Sequence, residues 1–308
     1  MYSERSAVRV GIAQVLAGSA LISLVGIFIK ILVVDYALPI LVMGFWRNLF
    51  VCLILLVALK IKRPALLRAG RENIFLLGSY GLVLALLNGI WGGSVFFNGA
   101  GVATVLVYVS VPITVLGQWW LGGGKPSAQI IPSIVFCLVG CALVCGVQGI
   151  SDFALTPIGI FLGLFSGIFY AAYGLMGRAC ALRGLNPFTV LMYIFGFAAF
   201  FMLIANLFSG GAIPGAASEP AQILLPDAPL KVWGIILTLA IGPTMIGWML
   251  INMSMSRLSP SVVNILLTTE PMMTALVAIP VLGEFMTTMQ WAGCFMIIGG
   301  VVLLKRRN

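Results

Sequence analysis

The sequence predicts an all-α membrane protein: ten transmembrane helices in two inverted five-helix repeats around a central cavity. Three observations lead there. First, 61% of the 308 residues are hydrophobic and 8% are charged, whereas soluble domains carry about 25% charged residues. Second, apolar residues gather in ten runs, near 11–33, 38–59, 74–96, 100–120, 129–148, 157–177, 187–208, 231–251, 260–281 and 286–304. A helix of about 20 apolar residues crosses a hydrocarbon core of roughly 30 Å. Third, residues 1–150 slide over residues 151–308 with a weak, ordered match: Ile12 falls on Ile160, Lys30 on Arg178 and Pro39 on Pro187. Farther on, Asn98 to Pro112 parallels Ser256 to Pro271, and Leu121-Gly122-Gly123 parallels Leu282-Gly283-Glu284. Five spans per half is an odd number, so the second copy inserts upside down relative to the first.

The net charge of +9 does not point to nucleic acid, because its placement follows the loops. Alternating the spans puts Arg5, Arg9, Lys60, Lys62, Arg63, Arg68, Arg71, Lys125, Arg178, Arg183, Arg257, Lys305, Arg306 and Arg307 on one side. Basic residues collect on the cytoplasmic face, so both termini are expected there. The expected location is a bacterial cell (inner) membrane, as a multi-pass protein in contact with membrane lipids. The opening Met1-Tyr2-Ser3-Glu4-Arg5 is too short and too mixed in charge for a signal peptide, and span one is long enough to remain as an anchor.

Taken in order, span one carries Lys30 near its outer end, and Pro39 opens span two, with Trp46-Arg47-Asn48 about two turns in. Lys30 can snorkel to the interface. Arg47 lies too deep for that and points to a cavity or an ion pair. Span three contributes Asn88 and Trp91. A tight Asn98-Gly99 turn leads to span four, with Tyr108, Pro112 and Gln118. In span five, Cys137, Cys141 and Cys145 recur every four residues, as polarizable packing on one helix face. Gly149 to Asp152 separates the halves, giving domains 1–150 and 151–308. Span six repeats small residues at Gly159, Gly163 and Gly167, a spacing that lets helices approach closely in lipid. Tyr170 and Tyr173 follow. Ser209 to Pro229, the one long loop, reads as a flexible outer cover. Span eight holds Gly242-Pro243, Trp248 and Asn252.

Span nine holds the most expensive residue. Glu270 stands near its middle with Pro271 directly after it. An ionised Asp at a helix centre costs roughly 2.5–3.5 kcal/mol, and Glu is comparable. Proline also strips a carbonyl one turn back of its helical partner. A charge and a helix break at one depth require protein partners or a wet cavity. Neither Arg47 nor Glu270 has a charged counterpart in the other half, where Phe195 and Val111 take their places. Their opposite signs suit a zwitterionic or amphoteric solute.

The chain resembles the drug/metabolite transporter superfamily, specifically ten-span carriers built from two EamA-type domains. The resemblance rests on Lys30 with Arg47, on Thr269-Glu270-Pro271 followed by Leu282-Gly283-Glu284, and on Trp291-Ala292-Gly293 to Ile298-Gly299-Gly300-Val301. One departure is Gly122-Gly123-Gly124, where family members often have Gly-Glu. The resemblance implies movement of amino acids, nucleotide-like metabolites, sugars or drugs, often outward and often using the proton gradient.

The residues and the resemblance together give a secondary active transporter, an exporter of a small polar or amphipathic metabolite such as an amino acid, working by alternating access as a monomer or homodimer. Substrate binding is expected at Lys30, Arg47, Asn88, Trp91, Tyr108, Tyr173, Trp248, Asn252 and Glu270. Glu270 is also the candidate for coupling to protons. No cofactor or metal is expected, and no nucleic acid partner. The alternatives are a lipid flippase of the same architecture, or a membrane-embedded enzyme. An enzyme lacks its usual equipment here: the sequence has no histidine, and a single carboxylate falls in the membrane core. No phosphate-binding Gly-rich loop with a Lys occurs, which argues against ATP-driven transport.

Overall fold

The computed structural model describes residues 2–122, 124–126, 128, 130–146, 155–282 and 286–305, and these form helices and turns without strands. The expected boundary at 150/151 and Glu284 lie outside the described residues, as does the side chain of Lys30. The helices are α1 (Tyr2–Ile22), α2 (Leu24–Lys30), α3 (Ile40–Lys62), α4 (Arg71–Val107), α5 (Ser110–Trp120) and α6 (Ile130–Val144), then α7 (Pro157–Leu182), α8 (Pro187–Phe208), α9 (Leu230–Leu239), α10 (Gly247–Ser254), α11 (Pro260–Leu267), α12 (Glu270–Leu282) and α13 (Thr288–Lys305). Three of them start where a capping side chain precedes proline. Thr156, Asn186 and Ser259 accept from the N–H of Gly159, Phe188 and Val262, and the proline after each sits where no helical N–H is needed.

Six helical stretches among the described residues are long and apolar enough to cross a membrane: Ser6–Val33, Ile40–Lys62, Arg71–Trp120, Pro157–Leu182, Pro187–Phe208 and Leu230–Ser254. Ile130–Val144 and Thr288–Leu303 are shorter apolar helices. The third stretch is not one rod. Gly99 has φ 78°, a left-handed conformation that glycine adopts at little cost, and it interrupts α4. Ser94 and Leu106, on either side of it, both lie against Gly163 of α7. The chain therefore doubles back at the expected Asn98-Gly99 turn. The last apolar run before α13 is likewise interrupted, by the turn at Thr268-Thr269 between α11 and α12.

Close glycine contacts fix the packing. Gly159, Gly163 and Gly167 face Asn98, Ser94 with Leu106, and Val107 to Ser110, so the small-residue stripe is used within the monomer. α1 runs antiparallel to α10, with Gly11 against Leu258, Gly18 against Ile251 and Ile22 against Gly247. The arm of α4 before Gly99 runs antiparallel to α7, with Ser94 on Gly159 and Tyr80 on Gly177. α3 packs on α8 through Gly44 and Met202, and Cys52 and Gly196. α5 meets α11 through Asn264 and Thr114, and Gln118 and Ser261. α6 meets α13 at a reciprocal contact: a Cβ on Gly140 would stand 2.7 Å from the Gly293 carbonyl, and one on Gly293 would stand 2.7 Å from the Gly140 carbonyl.

Residues 209–229 depart from the flexible cover expected of them. Ala217 donates its N–H to Asn206 Oδ1, Leu41 donates its N–H to the Gly215 carbonyl, and Trp46 Nε1 donates to the Ile223 carbonyl at 2.7 Å. Ala216, Ala217 and Ile223 are buried. A loop rich in Gly, Ala and Pro looks featureless in sequence, yet its backbone groups are held by the Asn206 side chain of α8 and by the Trp46 side chain and Leu41 N–H of α3.

Candidate functional site

The helix break expected at Glu270-Pro271 is present and has a specific partner. Pro271 has no N–H to offer the carbonyl four residues back, which belongs to Leu267. Tyr108, at the break between α4 and α5, fills that position: its hydroxyl lies 2.8 Å from the Leu267 carbonyl and 3.0 Å from Glu270 Oε2. Cys141 Sγ reaches the Thr268 carbonyl at 3.3 Å, and Thr269 Oγ1 lies 3.0 Å from Ser19 Oγ. The Leu267 and Thr268 carbonyls at the break thus each meet a side chain from another part of the bundle. A tyrosine hydroxyl has one hydrogen to give. With Glu270 ionised, the Leu267 carbonyl and the carboxylate compete for it; with Glu270 protonated, the acid can donate to Tyr108 and leave its hydrogen for Leu267.

Glu270 lines a cavity of about 770 Å³. Trp91, Phe96, Thr104, Cys145, Thr274 and Gln290 are among the other walls, with Pro39, Gly99 and Gly215 toward one end of the bundle. That end is opposite the one where Leu66, Leu67, Asn73 and Arg183 meet α7 and α8. Glu270 is near the middle of its run, about 15 Å along the axis from Pro260 at 1.5 Å per residue. The volume is that of a small-molecule site, whose usual form is an apolar concavity with a few polar groups.

The other expected residues separate into two groups away from this cavity. Arg47, 8% exposed, donates from Nη2 to Asn88 Oδ1 at 2.9 Å. Asn88 precedes Trp91 by three residues on α4, so this pair sits close to one turn deeper than the cavity wall. The second group is an aromatic and amide layer. Asn252 Nδ2 donates to Tyr173 Oη at 3.0 Å, Tyr80 Oη lies 3.4 Å from Asn252 Oδ1, and Trp248 meets Tyr173 edge-on with ring centroids 4.7 Å apart. Tyr108, Tyr173 and Trp248 were expected to line the cavity with Trp91. Of these aromatics only Trp91 does so in this conformation, because Tyr108 and Tyr173, each 1% exposed, turn into helix contacts.

Tyr80 belongs to this layer and was missed in the sequence. The signal was its spacing: it precedes Trp91 by eleven residues, close to three helical turns, on the same face of α4. Thr274 and Gln290 were missed as well. Thr274 follows Glu270 by one turn and donates to the Glu270 or Ser23 carbonyl, each 3.1 Å away.

Residues 157–306 match the family model described as the EamA-like transporter family. A solved structure titled only "Crystal structure of protein" aligns over 98% of this chain and 96% of its own, with a TM-score of 0.75 and 17% identity, a likeness in fold. No curated protein matches the chain. Its second half, residues 157–306, is thus an EamA-like transporter domain.

Proposed function

We propose that the chain is a secondary active exporter of a small polar or amphipathic metabolite, such as an amino acid or a related compound, working by alternating access. Ten spans form two inverted five-helix repeats, residues 1–150 and 151–308, in a bacterial cell membrane with both termini cytoplasmic. The packing supports the repeat: exchanging the halves turns the contact of α1 with α10 into that of α7 with the first arm of α4. The same exchange returns the pairs α3–α8, α5–α11 and α6–α13 to themselves, each antiparallel as an axis in the membrane plane requires.

The observation that carries the reading is Glu270, a carboxylate at a helix break midway through its span and facing a cavity of about 770 Å³. Such a position fits a group that meets solute, proton or both. In this reading the present conformation is open toward the Gly99 end, and the layer of Tyr80, Tyr173, Trp248 and Asn252 closes the basic end. Glu270 takes the cationic part of the solute or the coupling proton, and Trp91 packs against its apolar part.

The test is a solute screen on purified protein, first for thermal stabilisation and then for flux in proteoliposomes with and without a pH gradient. Flux of an amino acid or amine that responds to the gradient supports the proposal. Transbilayer movement of phospholipid without solute flux would replace it with a flippase.

A further inference from the structure

We propose that Arg47 and Asn88 form an anion subsite that takes the carboxylate of the transported solute. This deepens the reading above and rests on it. Arg47 Nε and Asn88 Nδ2 are both buried hydrogen-bond donors without a partner, although the two side chains touch through Arg47 Nη2 and Asn88 Oδ1. Two unfilled donors on adjacent side chains, one of them on a guanidinium, are a cluster in search of an acceptor. Burying a charge is expensive unless it is paired, and Arg47 makes no ion pair among the described residues. A neutral amide oxygen is its partner in place of a carboxylate.

Position selects the ligand. Asn88 stands one turn below Trp91, which lines the cavity that also contains Glu270. Arg47 and Asn88 are not themselves walls of this cavity, so a solute's planar oxyanion reaches the guanidinium edge and the Asn88 amide by extending past Trp91, about one turn deeper. Guanidinium geometry matches a carboxylate through two parallel N–H donors. Carboxylate at Arg47 and cation at Glu270 would make the pathway select zwitterions over simple amines.

The experiment uses the purified full-length protein and two probes of one skeleton: 3-phenylpropionate, which has only the acid, and phenethylamine, which has only the amine. Thermal-shift titrations are run on the wild type, Arg47→Gln, Asn88→Asp and Glu270→Gln. Asn88→Asp guards against misfolding, since it gives Arg47 an internal counter-charge while occupying the subsite. The expected result is that 3-phenylpropionate binds the wild type and binds Arg47→Gln and Asn88→Asp roughly tenfold more weakly. Phenethylamine should bind these two variants as it does the wild type and fail with Glu270→Gln. No response of the wild type to 3-phenylpropionate, or an equal response in Arg47→Gln and Asn88→Asp, overturns the subsite. Chloride giving the same Arg47-dependent stabilisation and displacing the probe would assign the pair to a free inorganic anion and overturn the carboxylate. Phenethylamine binding that ignores Glu270 would count against the broader reading and leave an Arg47-dependent 3-phenylpropionate response standing.

Discussion

The Tyr108 hydroxyl sits between the Leu267 carbonyl at 2.8 Å and Glu270 Oε2 at 3.0 Å. One side chain from the first half of the chain thus supports both the carbonyl orphaned by Pro271 and the carboxylate of Glu270 beside it. Removing the hydroxyl leaves the Leu267 carbonyl without its partner and takes one hydrogen bond from Glu270, and a stranded buried acceptor costs about 1–3 kcal/mol. Tyr108→Phe is therefore expected to lower the unfolding midpoint in detergent and to reduce flux, with the protein still inserting. An unchanged midpoint would mean that water or another group replaces Tyr108 without loss.

Gly140 and Gly293 make the reciprocal contact of α6 and α13, each 2.7 Å from the other's carbonyl once a Cβ is added. Backbone stands opposite, so neither side can yield as a flexible side chain would. Overpacking of this kind costs about 1–3 kcal/mol. Gly140→Leu and Gly293→Leu should each destabilise the protein, and the double variant should cost less than the sum because both disturb one contact. Gly89→Ala, with nothing within 4 Å of its Cβ position, is the control expected to hold or slightly raise stability, since alanine suits a helix interior better than glycine.

Cys145 is the cysteine that lines the cavity, while Cys137, Cys141, Cys180 and Cys294 are buried. A small membrane-impermeant thiol reagent added from the Gly99 side should modify Cys145 before those four. Modification should slow flux, and Cys145→Ser should abolish that sensitivity. Equal labelling from the basic side alone would reverse the assignment of the open end.

The fold was legible because lipid imposes a simple demand: apolar runs of span length, with punctuation between them. Asn98-Gly99 marked a reversal and Pro39 the opening of a span, while the capped starts at Thr156-Pro157, Asn186-Pro187 and Ser259-Pro260 came only with the structure. Glu270-Pro271 announced a break at a definite depth. The partners of that break were less visible, since nothing local to Tyr108 says which carbonyl, 159 residues away, it will meet. Likewise, the sequence offered Trp91, Tyr173 and Trp248 as aromatics of one kind. Helix rotation decides that the first faces the cavity while the other two pack with Asn252 and Tyr80. The anchoring of residues 209–229 was hidden for a related reason: beside its own turns, the loop is tied to the helices by the Asn206 and Trp46 side chains and the Leu41 N–H, all distant in sequence or outside the loop.

The most direct test is counterflow in proteoliposomes, with a solute that stabilises the purified protein, comparing the wild type with Glu270→Gln at equal reconstitution. Exchange should fall to background in Glu270→Gln, which keeps the shape of the side chain and removes its charge and its titration. Counterflow at the wild-type rate by Glu270→Gln would contradict a solute pathway that runs past this carboxylate.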